Sequence, residues 1–175
     1  ASSEDLIRKT ARFGYETRSR LALACAVHVL PVWYESTFDK RRVRPHNSLI
    51  AALCFMNPPP NTRASYFSEM ARREEGSARF YLDRLMGSDD SPEQERDPAK
   101  AAAAVRTVTY AARAVITPEE APAVNACISA SRHATTAIGE QQLFVALCQD
   151  LASWQLGNDP LVGLPDRLQR LSRSK

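Results

Sequence analysis

The sequence contains little glycine, with 6 residues in 175, and no segment with the alternating, β-branched pattern of a strand. Alanine is abundant, and it is the residue that costs least in a helix interior. These features exclude sheet architectures and predict an all-α fold of about seven or eight helices. We expect one compact domain over residues 1–175, and two alanine-rich helical hairpins suggest HEAT-like layering of antiparallel helices.

Long apolar runs are missing as well. The longest, from Leu21 to Tyr34, has 14 residues without a charged side chain. This length is too short to span a bilayer and is typical of a buried core helix. The run therefore predicts the central helix of the fold, which we expect to kink or end at Pro31. We expect no membrane association.

Cysteine is sparse and follows no metal-binding or redox pattern. Four cysteines lie in apolar contexts, and no two form a C-x-x-C pair: Cys25, Cys54, Cys127 and Cys148. Such cysteines are usually small buried hydrophobic residues, which favours structural thiols and a reducing, cytoplasmic compartment. No basic segment followed by an apolar segment of a signal peptide is visible at the start. Only three histidines occur, so we expect no metal site and no cofactor.

Catalytic motifs are also missing. The sequence has no H-E-x-x-H, no Walker loop, no G-x-G-x-x-G and no G-x-S-x-G. Ser131 and His133 are two residues apart, about 200° around a helix, so they cannot act as a nucleophile and its base. We predict that the protein is not an enzyme; an active site assembled from distant residues is the weakest alternative.

Glycine and proline mark several helix ends. Thr117-Pro118-Glu119-Glu120 is a typical helix start, with a capping residue and acidic side chains in the first turn. Gly139 is expected to end that helix and lead into the next one. Gly76 is expected to interrupt an earlier helix, because glycine destabilises helix interiors.

Charge is concentrated in two segments. Residues 39–45 (DKRRVRP) hold four cations within five positions and should form a loop, because Pro45 disfavours helix at Arg44. A solvated loop is the simpler interpretation, and a docking site for an acidic partner or phosphates is the functional one. Residues 87–98 (GSDDSPEQERDP) are acidic and predict an exposed loop that could contact a basic partner.

The run LALACAVHVLPVW from Leu21, the charged segment from Asp39 and the helix with Leu49-Ile50-Ala51-Ala52 resemble a family of all-helical immunity proteins. That family belongs to bacterial polymorphic-toxin systems. Tyr110-Ala-Ala-Arg and the helix with His133 follow in the order of its second half. The resemblance implies a non-catalytic bacterial protein that neutralises a cognate toxin by occluding it.

Local charge then predicts where a protein partner would bind. The predicted contact residues are Asp39, Arg41, Arg42 and Arg44, followed by Asp89 and Asp90. The alternative function is a nucleic-acid-associated protein that uses the basic loop 40–44 and the C-terminal tail. The net charge of +3 supports this alternative only weakly, since clustered charge on one face is the better sign.

Overall fold

The computed structural model describes residues 2–36, 44–87 and 98–173. Over these ranges the chain is helical and has no strand, which confirms the predicted all-α fold of seven or eight helices. The elements in order are α1 (Ser3–Thr10), a 3₁₀ helix (Ala11–Phe13), α2 (Tyr15–Ser36), α3 (Pro45–Met56), α4 (Ala64–Gly87), α5 (Pro98–Ile116), α6 (Glu120–Ile138), α7 (Glu140–Gln155) and α8 (Leu164–Arg173). Every described helix is too short or too polar for a transmembrane span.

The run from Leu21 to Tyr34 forms most of α2, and its side chains are largely buried in the core, as predicted. The helix does not end at Pro31 but continues to Ser36. Pro31 is exposed, so the carbonyl that loses its helical hydrogen bond can face solvent. At the far end of the run, Trp33 is fully buried and contacts Tyr81 of α4 edge to face, with ring centroids 5.5 Å apart.

Helix α5 lies at the centre of the packing and contacts α2, α3, α4 and α6. The four consecutive residues Ala101–Ala104 are all buried. Successive residues of a helix point in directions about 100° apart, so four in a row are buried only when other helices surround the axis. Small side chains at these positions let the neighbouring helices approach closely. A single hydrophobic core thereby includes residues from all eight helices.

Helix α4 runs without interruption through Gly76, so the predicted break there is wrong. Phe67 and Ala71 before the glycine, and Ala78 and Tyr81 after it, are buried. Packing of these residues offsets the low helix propensity of one exposed glycine. Around Gly139, by contrast, the helix boundaries follow the sequence pattern. Helix α6 ends at Ile138, and α7 begins at Glu140.

The N-terminal helix is fixed to the second half of the chain. The Ser2 hydroxyl caps α1 by accepting a hydrogen bond from the Asp5 N–H at 3.1 Å. The Ser3 N–H donates to Glu140 of α7 at 2.5 Å, and Arg132 of α6 donates to Glu4 at 2.6 Å. These contacts join α1 to α6 and α7.

Candidate functional site

The structure describes one of the six predicted contact residues. Arg44 is exposed and immediately precedes α3, where its carbonyl oxygen accepts the Asn47 N–H at 2.9 Å. Residues 37–43 and 88–97 lie outside the described ranges. The predicted contacts that fall there are Asp39, Arg41, Arg42, Asp89 and Asp90.

A tyrosine–histidine pair lies beside Arg44 and joins the two helices that flank residues 37–43. Tyr34 is near the end of α2, and His46 is in the first turn of α3. The Tyr34 hydroxyl oxygen is 2.5 Å from Nδ1 of His46, and the two rings stack with centroids 6.2 Å apart. His46 is only 2% exposed. The pair therefore fixes the position of Arg44 relative to α2.

Burial keeps both members of this pair neutral at pH 7. It lowers the pKa of His46 to about 4, and the positive charge of Arg44 acts in the same direction. Burial raises the pKa of Tyr34 to about 12, although Arg44 partly opposes that rise. We assign Tyr34 as the donor to Nδ1, which places the histidine proton on Nε2. Groups with these pKa values do not exchange protons readily near neutral pH, so the pair has a structural role.

A second candidate site lies at the connection between α7 and α8. Leu156 and Val162 in this connection are 80% and 74% exposed. A groove beside it is lined by the half-buried Trp154 together with Pro160 and Leu161, and by residues of α2. Exposed apolar side chains that are grouped beside an apolar groove are typical of interaction surfaces.

Ion pairs hold this connection against α2. Arg20 pairs with Asp159 at 2.5 Å, and its guanidinium lies over the Trp154 ring at 4.5 Å from the centroid. Burial acts to raise the pKa of Asp159, but hydrogen bonds from Arg20 and the Leu161 N–H outweigh it and lower the pKa. Nearby, Asp150 lines the groove and lies 2.9 Å from Nε2 of His28. The apolar groove therefore has a charged rim.

The thiols have no arrangement that suggests catalysis. All four cysteines are free. Cys25 and Cys127 are buried, and burial raises the pKa of both thiols, that of Cys127 to about 12. A thiol with so high a pKa is a poor nucleophile at pH 7. Across the described ranges, no three His, Cys, Asp or Glu side chains gather closely enough to hold a metal ion.

Sequence analysis did not identify the Tyr34–His46 pair or the groove. The apolar character of residues 156–162 was visible, but a short loop with three aliphatic residues has no distinctive pattern. Arg20 and Asp159 are 139 positions apart, and no local signal predicts their contact. Comparisons of the chain with family models, with curated proteins and with solved structures find no match.

Proposed function

We propose that the chain is a non-catalytic protein-binding module whose contact surface includes the α7–α8 connection. The observation that carries this proposal is the exposure of Leu156 and Val162, 80% and 74%, beside the groove with Trp154. Protein interfaces typically combine an apolar centre with a polar rim, and aromatic residues are enriched in them. Arg20 and Asp159 supply charged groups at the edge of this apolar surface.

The described part of the second proposed contact region is Arg44, which precedes a helix that packs against α8. Helix α8 begins directly after the connection, and it packs against α3. Arg44 precedes α3, so the basic segment that ends at Arg44 adjoins a helix in contact with α8. An acidic or mixed-charge partner would be steered toward these cations, which increases its association rate.

The specific form of the proposal is an immunity protein, in keeping with the resemblance noted from the sequence. In this form the chain acts in the bacterial cytoplasm and binds a cognate toxin stoichiometrically, covering its active site or its binding surface. A helical scaffold in which Cys25 and Cys127 are buried and the Tyr34–His46 pair is neutral suits a protein that acts by binding alone.

This proposal is tested by comparing how much partner protein is captured by wild type and by a variant of the proposed surface. The full chain is used as bait in a nuclease-treated lysate of its native cells, and the bound proteins are identified and counted by mass spectrometry. Wild type is compared with the double variant Leu156→Asp and Val162→Asp. We expect a one-to-one complex with wild type and at least about a tenfold loss of capture with the double variant, because two charges would be buried in the interface.

Phe80→Asp provides the matched control. Phe80 is 66% exposed on α4, which packs against α3 and α5. The same change of an exposed apolar residue to aspartate at this position should leave capture unaltered. Equal capture by wild type and the Leu156/Val162 double variant, with all variants folded by circular dichroism, contradicts the proposed surface.

Nucleic-acid association is the second candidate, and the packing of α8 against α3 favours it. Arg167 and Arg170 are exposed on α8, and Arg44 is exposed at the start of α3, so two basic parts of the chain lie on contacting helices. Binding of a DNA or RNA duplex that weakens steeply with salt and is lost in the double variant Arg167→Glu and Arg170→Glu would support this candidate. Capture that survives nuclease treatment favours the protein partner.

A further inference from the structure

Arg18, in the first turn of α2, is a buried cation with no anionic partner among the described residues. The residue is only 6% exposed, and its Nε has no hydrogen-bond partner. Among the described residues, no carboxylate forms an ion pair with its guanidinium. Arg20, two residues further along α2 and about 200° around the helix, pairs with both Glu16 and Asp159. The isolation of Arg18 is therefore a local property of its site.

This arrangement is unfavourable unless an anion completes it. A guanidinium remains protonated at all pH values at which proteins are folded, so Arg18 cannot become neutral. Buried charges in proteins are nearly always paired or hydrogen-bonded, because removal from water is costly. A bound anion that is not one of the described residues would neutralise the charge of Arg18.

Three helices hold the Arg18 region in place. The guanidinium Cζ is 5.5 Å from the centroid of the Tyr15 ring, the first residue of α2. The Tyr15 hydroxyl donates to the carbonyl oxygen of Val115 in α5 at 2.9 Å. The Arg18 carbonyl oxygen accepts the Cys127 S–H of α6 at 3.6 Å. The guanidinium thus lies near the N-terminal end of α2, beside the Tyr15 ring.

The surroundings of the guanidinium supply further positive potential. The N-terminal end of a helix carries partial positive charge and unpaired N–H groups. Gly14 precedes α2 with φ +139° and has no side chain that could cap these groups. The buried, unpartnered Arg18 and the N-terminal end of α2 therefore both favour an anionic ligand.

We propose that Arg18 is the centre of a binding site for one oxyanion group, a carboxylate or a phosphate. The planar guanidinium can donate two parallel hydrogen bonds to either group. Because only 6% of Arg18 is exposed, we expect it to bind a single group and not the backbone of a nucleic-acid strand. The site is independent of the protein-binding surface proposed above, since it rests on different residues.

Thermal unfolding of the full chain tests this site. Melting temperatures of wild type, Arg18→Met and Arg12→Met are measured in increasing sodium phosphate and in sodium chloride of equal ionic strength. Arg12 is exposed in the 3₁₀ helix, so Arg12→Met removes the same charge without touching the buried site. We expect phosphate to raise the melting temperature of wild type and Arg12→Met by about 5 °C at saturation, and Arg18→Met to lose this increment.

The comparison between variants separates binding from general salt effects. Phosphate stabilises proteins non-specifically by exclusion from their surface, and that contribution should be the same in all three chains. In chloride, Arg18→Met should unfold at the same or a higher temperature than wild type, because it removes an unpaired buried charge. The proposal is overturned if phosphate raises the melting temperature of wild type and Arg18→Met by the same amount. It is also overturned if Arg18→Met melts below wild type by the same amount in phosphate and in chloride.

A second measurement identifies the source of the anion and does not depend on Arg18→Met folding. The ³¹P line of inorganic phosphate should broaden with wild type and much less with Arg18→Lys, which retains the charge but lacks the planar fork. Sodium acetate and the peptide acetyl-Gly-Glu-Gly-amide are then tested as competitors. Displacement by acetate indicates a site for free small anions, and displacement by the peptide alone indicates an acidic side chain. No broadening with wild type overturns the proposal.

Discussion

His46 shows how burial of a single side chain makes stability depend on pH. Its pKa is about 4 in the folded chain, compared with an ordinary value of 6.5. Between these values the unfolded chain binds a proton that the folded chain does not, so stability present above pH 6.5 is lost as the pH falls toward 4. After allowance for screening by solvent, we expect a loss of about 2 kcal/mol.

Urea unfolding at pH 7 and at pH 4.5 measures this effect. His46→Gln removes the titrating group and retains a hydrogen-bonding side chain, so its stability should fall less over this range than that of wild type. Some slope should remain, because burial also lowers the pKa of His133. His133→Gln removes that second contribution, retains His46 and its contact with Tyr34, and serves as the control, so most of the wild-type pH dependence should remain. Identical slopes in wild type and His46→Gln would refute the assignment.

The four thiols should differ in reactivity according to their burial. Cys25 and Cys127 are buried, and Cys54 and Cys148 are partly exposed. A thiol reacts as its thiolate and only when the reagent can reach it. We expect iodoacetamide at pH 8 to label Cys54 and Cys148 in the folded protein and the buried pair only in urea, as measured by peptide mass spectrometry. Labelling of Cys127 in the folded protein at the rate of Cys148 would contradict this expectation.

At the scale of the elements, α4 offers a simple test of helix propensity. Gly76 lies in the helix interior, and a Cβ added there would meet no atom within 4 Å. Gly76→Ala should therefore stabilise the protein by up to about 1 kcal/mol in chemical denaturation. Gly139→Ala is the control with the opposite sign, because Gly139 has φ +90°, where an L-residue is strained. Stabilisation by both substitutions would disprove this argument.

The helices were predictable where local chemistry and tertiary packing agree. The acidic start before Glu120 and the stop at Gly139 bound α6 close to the predicted positions. Helix α2 does not end at Pro31, and the predicted interruption at Gly76 was wrong, because each residue is exposed on a helix that buries other side chains in the core. A local propensity of about 1 kcal/mol for glycine, or about 3 kcal/mol for proline, is smaller than the sum of such contacts.

The candidate sites were less predictable than the helices. Arg44 could be identified because it belongs to a dense charge cluster. Arg18 could not be identified in this way. Its role depends on the lack of a carboxylate near its guanidinium among the described residues of the folded chain. Arg20 has Glu16 four residues before it and contacts Asp159 in the folded chain, whereas Arg18 has Gly14 at the corresponding position. A missing contact has no local sequence signal.

At the scale of the whole molecule, the shared core predicts cooperative unfolding. Residues of all eight helices belong to one contiguous cluster, and the two tryptophans report on different parts of it. Trp33 is fully buried between α2 and α4, whereas Trp154 lies half-buried at the groove on α7. We expect loss of helix and loss of either tryptophan's native environment to occur together.

Single-tryptophan variants make this prediction measurable. Trp154→Phe leaves Trp33 as the fluorophore, and Trp33→Phe leaves Trp154. In urea, the fluorescence midpoint of each variant should coincide with its own midpoint by circular dichroism at 222 nm, although Trp33→Phe will unfold at lower urea. If the fluorescence of Trp154 alone changed at a lower urea concentration than the circular dichroism, α7 and α8 would unfold separately from the rest of the chain.

The enclosure of α5 also restricts how this sequence can diverge over evolutionary time. Its buried positions are occupied by small side chains, including Ala101–Ala104, Ala111, Ala112 and Ala114. A larger residue at any of them would push neighbouring helices apart at a cost of about 1–3 kcal/mol. Because domains have only about 5–15 kcal/mol of stability, few such changes can accumulate. Distant relatives should therefore keep the spacing of small residues along α5 while their outer helices change, and that spacing is the feature by which to search for them.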